Sequence, residues 1–178
     1  MINLLFFLLL GLVIEVSPAD NTRIYNLSTL RQEYLKASKD EAAAKRFHKK
    51  MAAYEEKHPV RLAYRGASEA VMAKYAWNPY SKLKHVKTAA GIFEEAVGMD
   101  ETNPEIRFLR FTVEHYIPRY LNLSGNLEAD KAAIIEGLKK HPKSGMPTEM
   151  AKTIQSFMLT KDHCTEAEKQ VIKSIVIN

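Results

Sequence analysis

The chain has 178 residues, 46% of them hydrophobic and 26% charged, with a formal charge of +5. That composition suffices for one packed core and is ordinary for a soluble domain, while the mixed signs argue against a nucleic-acid binder. Cys164 is the only cysteine, so no internal disulfide can form and stability must come from packing. The two basic clusters, Lys45, Arg46, Lys49 and Lys50 and then Lys82, Lys84 and Lys87, read as solvated lysine faces, and nucleic acid is not an expected partner.

The chain opens on an apolar run too short for a comfortable membrane span, followed by Ser17, Pro18 and Ala19, small residues that suit cleavage before Asp20. Residues 1–19 are therefore expected to be a signal peptide, and residues 20–178 one helical-repeat-like domain that is exported to the periplasm or secreted. The first basic residue, Arg23, follows the apolar run. Membrane association is expected only if that N-terminal segment stays uncleaved.

Beyond Asp20 the chain reads as helix after helix, with no competing strand pattern. A first helix is expected over Leu27 to Ala37, and Ser38 with Glu41 has the spacing of a capping box for a second that runs to Lys57. His58-Pro59 ends that helix and opens a third, Val60 to Trp77. Asn78-Pro79 and Asn103-Pro104 each place a good cap before a proline suited to the first helical turn, and so open the fourth and fifth helices. Pro118 stops the fifth. A turn at Leu123 to Asn126 precedes a sixth helix to Lys140, Thr148 caps a seventh, and Thr165 with Glu168 forms a capping box for the eighth. Eight short helices joined by brief loops predict an all-α fold of antiparallel hairpins stacked as a short array.

The helical wheels sharpen that expectation. In the fifth helix, Ile106, Leu109, Val113, Tyr116 and Ile117 form one stripe, while Phe108, Phe111 and His115 lie opposite, so neighbours are needed on both sides. In the third, Val60, Tyr64, Ala67, Val71 and Tyr75 make one stripe. Ala63, Gly66, Ala70 and Ala73 make a second, of small residues that allow close backbone approach. The fourth has a single apolar face containing Leu83, Val86, Ala89, Phe93 and Ala96, as an outer helix requires.

The run from Ala89 to Glu105 resembles the second helix and inter-repeat turn of a tetratricopeptide repeat, with Ala89, Phe93 and Ala96 at the small, aromatic and small positions of that family. Gly66 matches its first-helix glycine. Glu101 stands where the family usually has proline, and Arg110 and Phe111 where leucine and glycine are usual. The resemblance implies a concave groove that holds a protein or peptide segment. The segments Tyr64–Lys84 and Glu105–Phe111 also resemble a group of small exported bacterial proteins, which implies an envelope location and no mechanism.

No catalytic or ligand-binding motif stands out. Metal ligation is not expected, since there is no HExxH, no cysteine pair, and the single ExxH, Glu55 to His58, lacks a second copy. No glycine-rich phosphate loop or nucleophile elbow is present, so no cofactor is expected. Cys164 beside His163 lacks the spatially positioned base that a nucleophile needs. The candidate binding groove consists of Arg65, Glu69, Tyr75, Trp77, Tyr80, Arg107, Arg110, Glu114 and Tyr116, because guanidinium forks grip carboxylates and aromatics add flat contact area. The competing reading of its charges is a set of interhelical ion pairs that fixes how hairpins stack. The expected function is a non-enzymatic protein- or peptide-binding or scaffolding module of the cell envelope. The alternatives are a binder of a small acidic ligand, or an envelope hydrolase using Glu69 and Glu114 as its carboxylate pair.

Overall fold

The computed structural model describes residues 23–178; the expected signal peptide and its cleavage point before Asp20 lie outside the described residues. Those residues form eight α-helices and no strand: α1 (Leu27–Ala37), α2 (Glu41–Ala52), α3 (Pro59–Tyr75), α4 (Pro79–Met99), α5 (Pro104–His115), α6 (Leu127–Lys139), α7 (Thr148–Met158) and α8 (Glu166–Ser174). A 3₁₀ turn, Arg119–Leu121, lies between α5 and α6. None of the described helices is long and apolar enough to cross a membrane.

Most helix starts follow from the capping chemistry of the sequence. Asn26 accepts from the Ser28 and Thr29 amides, Asn78 from that of Ser81, and Asn103 from those of Glu105 and Ile106. Thr165 and Glu168 make the reciprocal capping box of α8. Three departures from the expected boundaries have a visible cause, and α3 also ends at Tyr75, two residues before Trp77. Asp40, not Ser38, caps α2, accepting from the Ala43 amide at 2.7 Å, because the Ser38 hydroxyl already donates to the Leu35 carbonyl. The same helix stops at Ala52 rather than Lys57, because Tyr54 turns into the core, packs edge-on against Tyr25 at 4.9 Å and accepts the His58 amide on its hydroxyl. Thr148 is the first residue of α7 rather than its cap, and its hydroxyl lies 3.3 Å from His141 Nε2.

Consecutive helices pack as hairpins, α1 on α2, α3 on α4 and α5 on α6. The first helix of each hairpin also touches the first helix of the next, α1 to α3 and α3 to α5, while α2 packs on α3 and α4 on α5. This is the neighbour pattern of a stacked array. One close junction is α3 on α4: a methyl on Gly66 would lie 3.3 Å from Ile92 Cγ2 and 3.4 Å from the Ala89 carbonyl, so the small stripe does bring the backbones together. A second close approach joins α6 to the start of α5, where Gly137 sits against the Pro104 ring with no room for a methyl group.

Helix α5 divides the interior in two, as its wheel predicts. Ile106 and Leu109 join Leu30, Met51, Tyr64 and Phe93 in the core of the N-terminal stack. Phe108 and Phe111 join Ile134, Leu138, Ile154 and Ile172 in the C-terminal core. Tyr116 leaves the stripe because α5 ends at His115, before Pro118, and the tyrosine is exposed.

Candidate functional site

The nine candidate groove residues separate into a charged set, buried or part-buried between helices, and an aromatic set that is exposed but for Tyr75. Arg110 sits within the α5–α6 interface, where its Nε and Nη2 donate to the two carboxylate oxygens of Asp130 at 2.8 and 2.6 Å. Arg107 adds a third bond to Asp130 at 2.9 Å and also donates to the Glu101 carbonyl. Asp130 is completely buried. Both guanidinium forks are therefore engaged with the body of the protein. Glu114 is likewise spoken for: its carboxylate accepts the backbone amide and side-chain amide of Asn126 at 2.9 and 2.8 Å, placing a negative charge at the start of α6, where the helix dipole favours it.

Arg65 and Glu69 on α3 are spaced four residues apart, as Arg110 and Glu114 are on α5, and they too look away from each other. Arg65 donates to the Tyr54 carbonyl at 3.5 Å. Glu69 is bracketed by two histidines from the flanking helices, His48 of α2 at 2.9 Å on Oε1 and His85 of α4 at 2.6 Å on Oε2. Burial alone would raise the Glu69 carboxyl, but the hydrogen bonds from His48 and His85 outweigh it and hold the carboxyl below its ordinary range. A further carboxylate anchors the first hairpin to the third. Glu105, buried at the start of α5, accepts two bonds from Arg31 of α1, at 2.8 and 2.7 Å, and one from the Tyr64 hydroxyl at 2.9 Å. Burial, followed by the Glu105 charge, pushes the Tyr64 phenol well above its ordinary value, so it remains a donor.

The aromatic candidates lie elsewhere, at or near helix ends. Lys74 Nζ donates to the Ser38 carbonyl at 2.7 Å, which places the α1–α2 turn beside the α3–α4 turn. Trp77, 91% exposed, and Tyr80, 80% exposed, flank Asn78-Pro79 in that second turn. Tyr75 is only part-buried, with Lys74 Nζ 5.2 Å from its ring centre. Tyr116 and Tyr120, which follow α5, are also exposed, and the Tyr116 ring lies 5.5 Å from Lys161 Nζ between α7 and α8. Comparison with known protein families, with curated proteins and with solved structures finds no match.

Four residues central to these assemblies escaped the sequence reading. Asp130 and Glu105 each lie in the first turn of a helix, where an acid ordinarily serves the helix dipole at the surface. His48 and His85 lie 21 and 16 residues from Glu69 in the chain, outside any local ligand spacing. The available signal was the pairing rule: Arg placed four residues before Glu is the poorer intrahelical order, so both charges needed partners on other helices. Cys164 is buried, and its thiol is pushed up to about 11 by burial and by nearby Glu168. His163 stacks on Phe157 at 4.1 Å and meets that residue's carbonyl through Nδ1, so it does not serve the thiol as a base.

Proposed function

We propose that the protein is an exported, non-enzymatic helical-repeat module of the cell envelope that binds a protein or peptide segment at the turn edge of its stack. The observation that carries this reading is the exposure of Trp77 and Tyr80 around the α3–α4 turn, with Tyr116 and Tyr120 also exposed after α5. Tryptophan and tyrosine are the residues most enriched at the energetic centres of protein interfaces. Lys82 and Lys84 follow in the first turns of α4 and are exposed, so an acidic or carboxylate-bearing segment has complementary charge available. The tetratricopeptide resemblance of the α4–α5 junction points the same way.

The alternatives have less support. A small acidic ligand would need a free guanidinium fork, and Arg107 and Arg110 are committed to Asp130. A hydrolytic carboxylate pair would need Glu69 and Glu114 to share a substrate, yet each is held by its own partners, and the lowered Glu69 carboxyl is the opposite of a proton donor.

The test is affinity capture from envelope extract with the native protein and with a Trp77→Ala/Tyr80→Ala variant of equal thermal stability. A partner retained by the native protein and lost by the variant is expected. Identical capture by both proteins would overturn the edge as the binding surface. Export is checked by intact mass from fractionated cells: a chain beginning at Asp20 is expected, and one beginning at Met1 would sink the cleavage reading.

A further inference from the structure

We propose that His48, Glu69 and His85 form a binding site for one divalent transition-metal ion of the zinc class. The three side chains come from three successive helices, α2, α3 and α4, and converge so that one nitrogen of each imidazole and a carboxylate oxygen lie within 4.8 Å of one another. The imidazole rings stand perpendicular, with centroids 5.8 Å apart, and contact opposite oxygens of the same carboxylate. Each side chain keeps between 18% and 26% of its surface exposed, so an ion has an entry path and water can complete its shell.

The donor set selects the cation. Two imidazole nitrogens and one carboxylate oxygen suit borderline first-row ions such as zinc, cobalt and nickel, whereas magnesium and calcium require a shell dominated by oxygen. Three protein ligands leave the fourth position of a tetrahedron for water. The ring nitrogens that face Glu69 are His48 Nε2 and His85 Nδ1. For ligation each neutral ring carries its hydrogen on the other nitrogen, Nδ1 of His48 and Nε2 of His85, and a protonated ring releases one proton to solvent. The ion then takes the place of the hydrogens that now lie between the imidazoles and the carboxylate. Ligand atoms in a zinc tetrahedron sit roughly 3.3 Å apart at the usual bond lengths of about 2.0 Å, so binding requires the histidine–carboxylate contacts of 2.9 and 2.6 Å to open slightly while the wider separations, up to 4.8 Å, close. Glu69 already braces its neighbours on both sides, and the ion would cross-link the same three helices more strongly.

The experiment uses the purified protein, stripped with chelator and then titrated with cobalt(II), zinc(II) and magnesium(II). One cobalt per chain with visible absorption of a tetrahedral or five-coordinate centre is expected, displaced by one equivalent of zinc. Zinc should raise the unfolding midpoint and magnesium should not. His48→Asn and His85→Asn should each weaken binding by more than the roughly 10–100-fold typical of an outer-shell change, while His115→Gln leaves it intact. The unmutated protein offers an independent reading: of its six histidine rings, only those of His48 and His85 should shift in an NMR titration with zinc. The proposal is overturned if neither cobalt nor zinc binds at millimolar concentration, if other rings respond instead, or if folded His48→Asn and His85→Asn variants bind as the native protein does.

Discussion

The α5–α6 junction and the α2–α3–α4 junction start from the same sequence device, an arginine followed four residues later by glutamate, and resolve it in opposite ways. At the α5–α6 junction the arginine is the buried partner: Arg110, with Arg107, surrounds the fully buried Asp130, and Glu114 is displaced to the start of α6. At the α2–α3–α4 junction the acid is the focus: Glu69 receives two imidazoles, and Arg65 is left with a backbone carbonyl. Arginine keeps its charge at all accessible pH, so the first junction is a fixed lock. Imidazole is also a metal ligand, so on the proposed metal site the second junction exchanges one binding partner for another. Both stack helices, but only one can change state.

The largest test of this contrast is Asp130→Ala, which leaves the buried Arg110 and the part-buried Arg107 without their counter-charge. A loss on the order of 3 to 5 kcal/mol is expected, equivalent to a fall of about 10 °C in the unfolding midpoint for a chain of this size. A loss below about 1 kcal/mol would mean that the junction is held by Phe108, Phe111 and their neighbours alone.

Backbone spacing distinguishes the same two junctions next. Gly137→Ala drives a methyl into the Pro104 ring and should cost about 1–3 kcal/mol through overpacking. Gly66→Ala meets Ile92 Cγ2 at 3.3 Å, and Ile92 is a part-buried side chain that can give way. Its cost should be smaller, and chemical denaturation of both variants ranks them directly. Equal costs would remove the distinction between a rigid and an adjustable junction.

Glu69→Gln comes third. It replaces a charged acceptor of two imidazole bonds by a neutral amide, with an expected loss of about 1–2 kcal/mol because the group is only partly buried. Unfolding measured in chelator and in zinc separates the two roles of this carboxylate: the loss in chelator reports the brace, and any extra loss in zinc reports the ion.

Acid titration compares imidazole against imidazole with imidazole against carboxylate. His115 faces His163 at 4.6 Å, and burial, with His163 second, lowers its pKa below 6.5 despite the nearby Asp162 carboxylate. His58, which caps α3 through its unprotonated Nδ1, is also lowered, by burial and by Arg61. A histidine whose folded value is depressed binds its proton more readily in the unfolded chain. Its stabilising contribution is therefore present above about 6.5 and is lost as pH falls through the folded value. The midpoint should decline over that interval, and His115→Gln should flatten part of the decline.

How far the sequence revealed this architecture depended on whether a signal was local. The two-sided character of α5 was legible because Ile106 and Leu109 alternate with Phe108 and Phe111 within two turns, and the structure sends the two sets to different cores. Gly66 was legible because its stripe consists of small residues only. The end of α2 was not, since the burial of Tyr54 against Tyr25 is a contact between distant parts of the chain that overrides a continuing helical pattern. The charged assemblies were half legible. The unfavourable order of Arg65 with Glu69 and of Arg110 with Glu114 demanded partners on other helices, but nothing local named Asp130, His48 or His85. Aromatic and charged candidates that looked like one groove on paper were separated by helix length: α3 ends at Tyr75, α4 starts at Pro79 and α5 ends at His115, so the aromatics fall at or just past helix ends while the charges stay further within.

That separation leads to the smallest expected effect on stability. Trp77→Ala and Tyr80→Ala remove large rings that contribute little to either core, as their exposures of 91% and 80% require, so each should change stability by no more than about 0.5 kcal/mol. An exposed tryptophan is costly to keep if it does nothing, because it offers apolar surface to any sticky neighbour. Near-zero cost on unfolding, combined with loss of a bound partner, would therefore assign the edge to recognition and the two junctions to support. A loss of 2 kcal/mol or more would instead show that the turn is packed in solution, and the recognition surface would have to be sought on another face of the stack.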